Sequence, residues 1–131
     1  MKVYVAGPML DCSDSQKNVW REFFKDRVLN HIKVLDPTKR DYSGKEDDCF
    51  TQIVEEDKAE IDQCDIVVVY PWKNSAGTSM EILYAFERGI PVFTKVSEHG
   101  EVVSPWIRYH STKLFTDWGE LINEVNTFKK E

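Results

Sequence analysis

Short runs of β-branched and aromatic residues alternate along the chain with stretches whose apolar positions recur every three to four residues. Lys2–Ala6 is β-rich and halts at Gly7-Pro8, which predicts a strand ending in a tight turn. Val19, Trp20, Phe23, Phe24 and Val28 then share one face at helical spacing. Residues 33–36 read as a second strand stopped by Pro37, and residues 37–49 as a polar loop long enough to be a functional lid. Residues 50–64 are helical again, with Ile53, Ile61 and Cys64 in phase. Residues 66–70 form an unbroken apolar run, the pattern of a strand covered on both faces. A loop over 71–77 leads to a helix over 78–88 that Gly89 ends. Residues 90–94 read as a further buried strand and Lys113–Phe115 as a short fifth one. The last helix carries Trp118, Leu121, Ile122, Val125 and Phe128 on one face.

Strands alternating with helices predict an α/β fold, a parallel sheet with helices on both faces. Ligands of such folds bind at the carboxyl ends of the strands. That brings together the turn at Gly7 and Pro8, the loop after Asp36 and the loop over 71–77. No repeat, linker or low-complexity tract divides the 131 residues, so one domain over 1–131 is expected.

Composition narrows the partners. A net charge of −6 without a basic face argues against a nucleic-acid polymer, though not against a small anion. No membrane span or signal peptide is legible. Cys12, Cys49 and Cys64 are odd in number and widely spaced, which suits a reducing cytoplasm better than disulfides or zinc.

The segment from Asn74 to Glu81 joins the most buried strand to a helix N-terminus. Its small residues let backbone amides approach a ligand, and the helix end favours an anion. Glu81 falls in the first turn of the expected helix. Two readings are open for it: the partner of Thr78 in a capping box, or a carboxylate aimed into the crevice. Asp57 sits on the apolar stripe of Ile53, Ile61 and Cys64, whereas Glu55, Glu56, Glu60 and Asp62 read as solvated charges. Desolvation raises the pKa of such an acid and fits it for proton donation, and a structural acceptor is the alternative. Two such carboxyls suit displacement at an anomeric carbon, one as nucleophile and one as acid. Tyr4 can orient the nucleophile or merely pack in the sheet. Trp72 can stack on a base or close the edge of the core.

Val3-Tyr4-Val5-Ala6-Gly7-Pro8, Asp57, Asp65-Ile66-Val67-Val68, Gly77-Thr78-x-x-Glu81, Ala85 and Gly89-Ile90-Pro91-Val92, in that order, resemble the nucleoside 2-deoxyribosyltransferase superfamily. The resemblance implies a flavodoxin-like (Rossmann-like), doubly wound five-stranded parallel sheet in a three-layer sandwich. It implies Glu81 as nucleophile, Asp57 as the acid that assists base departure, and Tyr4 beside the nucleophile. It also implies no cofactor or metal, a nucleoside or nucleotide substrate, and a homodimer or larger assembly with shared sites. Ser75, six residues before Glu81, is similar to the hydrolases of (deoxy)nucleoside 5′-monophosphates, because base-swapping transferases tend to carry aspartate there. Ser104-Pro105-Trp106-Ile107-Arg108 resembles the hydrolase segment that reaches the neighbouring subunit's phosphate pocket. Ser75, Gly77, Ser104 and Arg108 are therefore expected at the substrate. These hydrolases carry an arginine just after the first turn, where this chain has Met9-Leu10-Asp11. The charge for a phosphate is then expected from Lys17, Lys39, Arg40, Lys73 or Arg108. The rival readings are a transferase, a sensing module without turnover, and a cytokinin-releasing phosphoribohydrolase, whose flanking double glycine is missing.

Overall fold

The computed structural model describes residues 1–97 and 103–130. Five parallel strands, β1 (Lys2–Ala6), β2 (Lys33–Leu35), β3 (Ile66–Val69), β4 (Val92–Lys95) and β5 (Lys113–Phe115), lie in the order β2-β1-β3-β4-β5. The chain leaves β1 toward β2 and returns on the other side to β3. The strand order reverses there, so the ligand crevice of such folds falls beyond the carboxyl ends of β1 and β3. The expected flavodoxin-like, doubly wound sheet is the one observed.

Two apolar layers flank the sheet. Helices α1 (Asp14–Arg27) and α5 (Trp118–Thr127) cover one face, where Trp20, Phe24 and Val28 meet Val3, Val5, Leu121 and Val125. Helices α2 (Phe50–Asp62) and α3 (Ala76–Glu87) cover the other, where Ile61, Ile82 and Ala85 meet Tyr4, Ala6, Val67 and Val69. Alternate residues of β1 and β3 thus feed opposite layers, as the period of a strand requires. A capping box of Ser13 and Gln16 starts α1. Gly89, at φ +72, ends α3 in the left-handed conformation that glycine adopts without penalty.

The structure departs from the expected elements at several points. Val19 is 65% exposed, and the α1 face that packs inward carries Arg21 in its place. Strand β4 begins at Val92, after Ile90 and Pro91, because proline has no N–H for the ladder. A six-residue helix, α4 (Pro105–His110), precedes β5, with Ser104 as its N-cap. Among the described residues no helix is long and apolar enough to cross a membrane.

Candidate active site

Glu81 is not a helix cap. Helix α3 begins at Ala76, two residues earlier than expected, and Ser75 caps it by accepting hydrogen bonds from Thr78 N at 3.2 Å and Thr78 Oγ1 at 3.0 Å. Glu81 therefore lies in the second turn, beyond the reach of any capping box. Its carboxylate turns to the sheet and accepts a short hydrogen bond from the Tyr4 hydroxyl. Tyr4 is fully buried at the middle of β1, beside Val67 of β3.

Asp57 joins them from α2. It is half-buried, and burial raises its pKa against the opposing hydrogen bond and charge of Arg40 and the hydroxyl of Tyr4. Glu81 is also half-buried. Burial first, then the negative charge of Asp57, pushes its pKa up to about 8, while Tyr4 and Arg21 pull the other way. Burial and the same two carboxylates keep the Tyr4 phenol well above its ordinary range, so it remains a neutral donor. Three elements separated by up to 77 residues in sequence thus place two acids around one hydroxyl.

The other expected residues divide. Gly7 is buried, and a Cβ there would meet Trp20 Cζ2 at 2.7 Å and Tyr70 O at 3.3 Å. Its glycine is required by the close approach of α1 to the turn. Pro8 is buried in the same turn. Gly77 is exposed in the first turn of α3 with open space where a Cβ would stand. The Trp72 indole N–H is buried with no partner among the described residues. Ser104 and Arg108 do not join the cluster. Ser104 lies in a groove of about 320 Å³ between α3 and α4, with Ser79, Met80, Leu83, Trp106 and His110. A larger concavity, about 580 Å³, lies along α1 and the edge strand β2 and holds neither Tyr4 nor Glu81.

Sequence reasoning missed one cation, Arg21, and gave another, Arg40, a different partner. Arg21 is fully buried behind the crevice and donates to the carbonyls of Lys17 (2.6 Å), Gly7 (3.2 Å) and Val5 (3.4 Å). Its pKa is lowered by burial, against which Asp36, 3.7 Å away, is the main opposing charge. Arg40, expected as a candidate for phosphate, is clamped by Glu56, Asp57 and Glu60. Glu56 and Glu60 are therefore ion-pair partners, not the solvated charges expected. Lys39 pairs with Glu22, Lys17 with Asp14, and Lys73 holds the carbonyls of Leu10 and Asp11. Lys73 thereby fastens the first turn to the loop before α3.

Because Ser75 supplies the cap, Ser75→Ala is expected to cost about 1 kcal/mol of stability. A urea titration showing less than a few tenths of that would mean that water replaces the cap without loss.

A family model described as a domain of unknown function, DUF4406, matches residues 1–94, which include Tyr4, Asp57 and Glu81. No curated protein matches the sequence. Among solved structures, a 2-deoxyribosyltransferase from Bacillus psychrosaccharolyticus superposes with a TM-score of 0.71 at 20% identity, covering 98% of this chain and 93% of that one. A conserved protein from Enterococcus faecalis V583 gives 0.70 at 18% identity, covering 95% and 96%. A 2-desoxiribosyltransferase from Leishmania mexicana gives 0.65 at 16% identity, covering 95% and 96%. At these identities the likeness is one of fold.

Proposed function

The chain belongs to the DUF4406 family, and from its site we propose that it is an N-glycosidase acting on a (deoxy)nucleoside 5′-monophosphate. The observation that carries this reading is the meeting of Glu81, Asp57 and Tyr4 at the crevice. Glu81 attacks the anomeric carbon while the bond to the base breaks, and Asp57 gives its proton to the departing ring nitrogen. Water then opens the glycosyl–Glu81 ester and returns its proton to Asp57. Tyr4 holds the nucleophile in line. Trp72, half-buried in the loop before α3, offers its ring for stacking on the base. No cofactor enters this scheme.

Ser75 and the first-turn amide of the exposed Gly77 at the start of α3 suit an anion, and an aspartate at position 75 would repel one. This favours a monophosphate and water as the acceptor. The two transferase titles among the structural neighbours support a second reading, base exchange between deoxynucleosides. The exposed Met80, Leu83, Phe86, Trp106 and Tyr109 on α3 and α4 form an apolar patch beside Ser104 and support a homodimer with shared sites. The three free cysteines suit a cytoplasmic setting.

Chromatography of base release from nucleosides and their 5′-monophosphates, with and without a second free base, tests the proposal. Release from monophosphates without an acceptor supports the hydrolase, and product only in the presence of a second base replaces it with the transferase. Asp57→Asn is expected to slow release of natural bases by about 10²-fold or more, and to slow far less a base that leaves without protonation. Equal losses on both substrates would remove Asp57 from the acid role.

A further inference from the structure

The guanidinium of Arg40 enters the acidic face of α2 from the loop after β2. Nη2 donates to Asp57 Oδ1 at 2.7 Å, Nε to Glu60 Oε1 at 2.9 Å and Nη1 to Glu56 Oε2 at 3.2 Å. Glu56 is held in turn by the Tyr42 hydroxyl at 2.6 Å and by Gln52 at 3.1 Å. Glu56 and Glu60 thus anchor Arg40 independently of Asp57. Letting go of Asp57 removes one of its three carboxylate acceptors and leaves the side chain in place.

The proposed chemistry requires such a release. An acid that protonates a departing base must carry a proton. A guanidinium is a donor only and keeps its own protons, so the oxygen it binds is best served as a carboxylate. Asp57 faces Tyr4 from β1, Glu81 from α3, Glu56 from its own helix and Arg40 from the loop, while Arg21 of α1 acts on Glu81 and Tyr4 from behind. Asp57 and Glu81 are like charges around one hydroxyl and cannot both ionise freely. With Arg40 seated on Asp57, the proton that the pair retains belongs on Glu81. That is the reverse of what displacement needs.

We propose that Arg40 is a positioning residue, which holds Asp57 as a carboxylate in the unliganded chain and releases it on substrate entry, so that the shared proton passes from Glu81 to Asp57. This rests on the glycosidic reading above. The transfer only relocates a proton within the pair: Glu81 becomes the free nucleophile as Asp57 becomes the loaded acid. Arg40 stays on Glu56 and Glu60 throughout.

The test compares the wild-type chain with Arg40→Gln and Arg40→Lys by two readouts. One is the carboxyl ¹³C titration of Asp57 and Glu81 in the unliganded protein, assigned with Asp57→Asn and Glu81→Gln. The other is the pH profile of kcat/KM for base release. In Arg40→Gln, Asp57 is expected to titrate about one pH unit higher, and the alkaline limb of the profile to move up with it. Arg40→Lys keeps a cation near the acids; it moves both in the same direction by less, and serves if the glutamine variant fails to fold. Unmoved titration and an unmoved profile, with only a uniform loss of rate, would overturn the proposal and leave Arg40 a structural clamp. Moved titrations in a chain that releases no base from any substrate would instead overturn the glycosidic reading, and the role of Arg40 in it.

Discussion

Glu81→Gln is expected to abolish base release, by on the order of 10³-fold or more, while the chain stays folded. An amide cannot form the glycosyl ester, yet glutamine has the size to stay against the Tyr4 hydroxyl. No helix cap is lost, because Ser75 supplies it. The variant is also expected to be the more stable protein at alkaline pH. Glu81 ionises near 8 in the fold, against an ordinary value of 4.5. It therefore keeps its proton in the fold between those values and loses it when unfolded, so its contribution to stability falls as pH rises through that window. Glutamine carries no such penalty. The shift alone corresponds to about 5 kcal/mol, and solvent at the half-buried side chain reduces the expected gain to on the order of 1–2 kcal/mol at about pH 9 and near zero at about pH 4.5, read from urea titrations at both. A carboxylate that costs stability where it is ionised has the character of a functional group. Retention of more than a small fraction of the rate would remove Glu81 from the chemistry.

Arg21→Met is expected to cost about 3–5 kcal/mol, the largest stability loss of any substitution considered. The Arg21 side chain has no exposed surface and closes the carbonyls of Val5 and Gly7 at the end of β1. Its removal strands those carbonyls and takes a cation from behind Asp36, which keeps Lys25 and Thr38. Because Gly7 forms the turn at the crevice, base release is expected to fall as well. A urea midpoint close to that of wild type would mean that the buried guanidinium is worth no more than the methionine that replaces it.

The order of strands and helices was legible because β1, β3 and β4 carry β-branched and aromatic residues and each long helix an apolar face. Lys2–Ala6 and Lys113–Phe115 stand where they were expected. Glu81, Asp57 and Tyr4, picked from three separate segments, do meet in the fold, but the first turn was assigned to Glu81 because Ser75 was read as loop. Arg21 had a signal that went unused: it lies three residues before Phe24 and seven before Val28, on the face that buries. A cation on that face needs acceptors, and the strand-end carbonyls provide them. Nothing in the helical pattern of α2 points to Arg40, because the clamp depends on a loop 16 to 20 residues earlier in the chain. Helix α4 was missed for a different reason: it is short, and Trp106 and Tyr109 leave it without a buried stripe.

The claim at the centre of this account is that Glu81 forms a covalent bond to the sugar. Base release in the presence of methanol, with the anomer of the methyl glycoside identified by proton NMR, tests it most directly. Two displacements at the same carbon return the original configuration, so the account predicts the β-glycoside from a β-nucleotide. The α-glycoside would mean that the acceptor attacks directly and that Glu81 is never esterified.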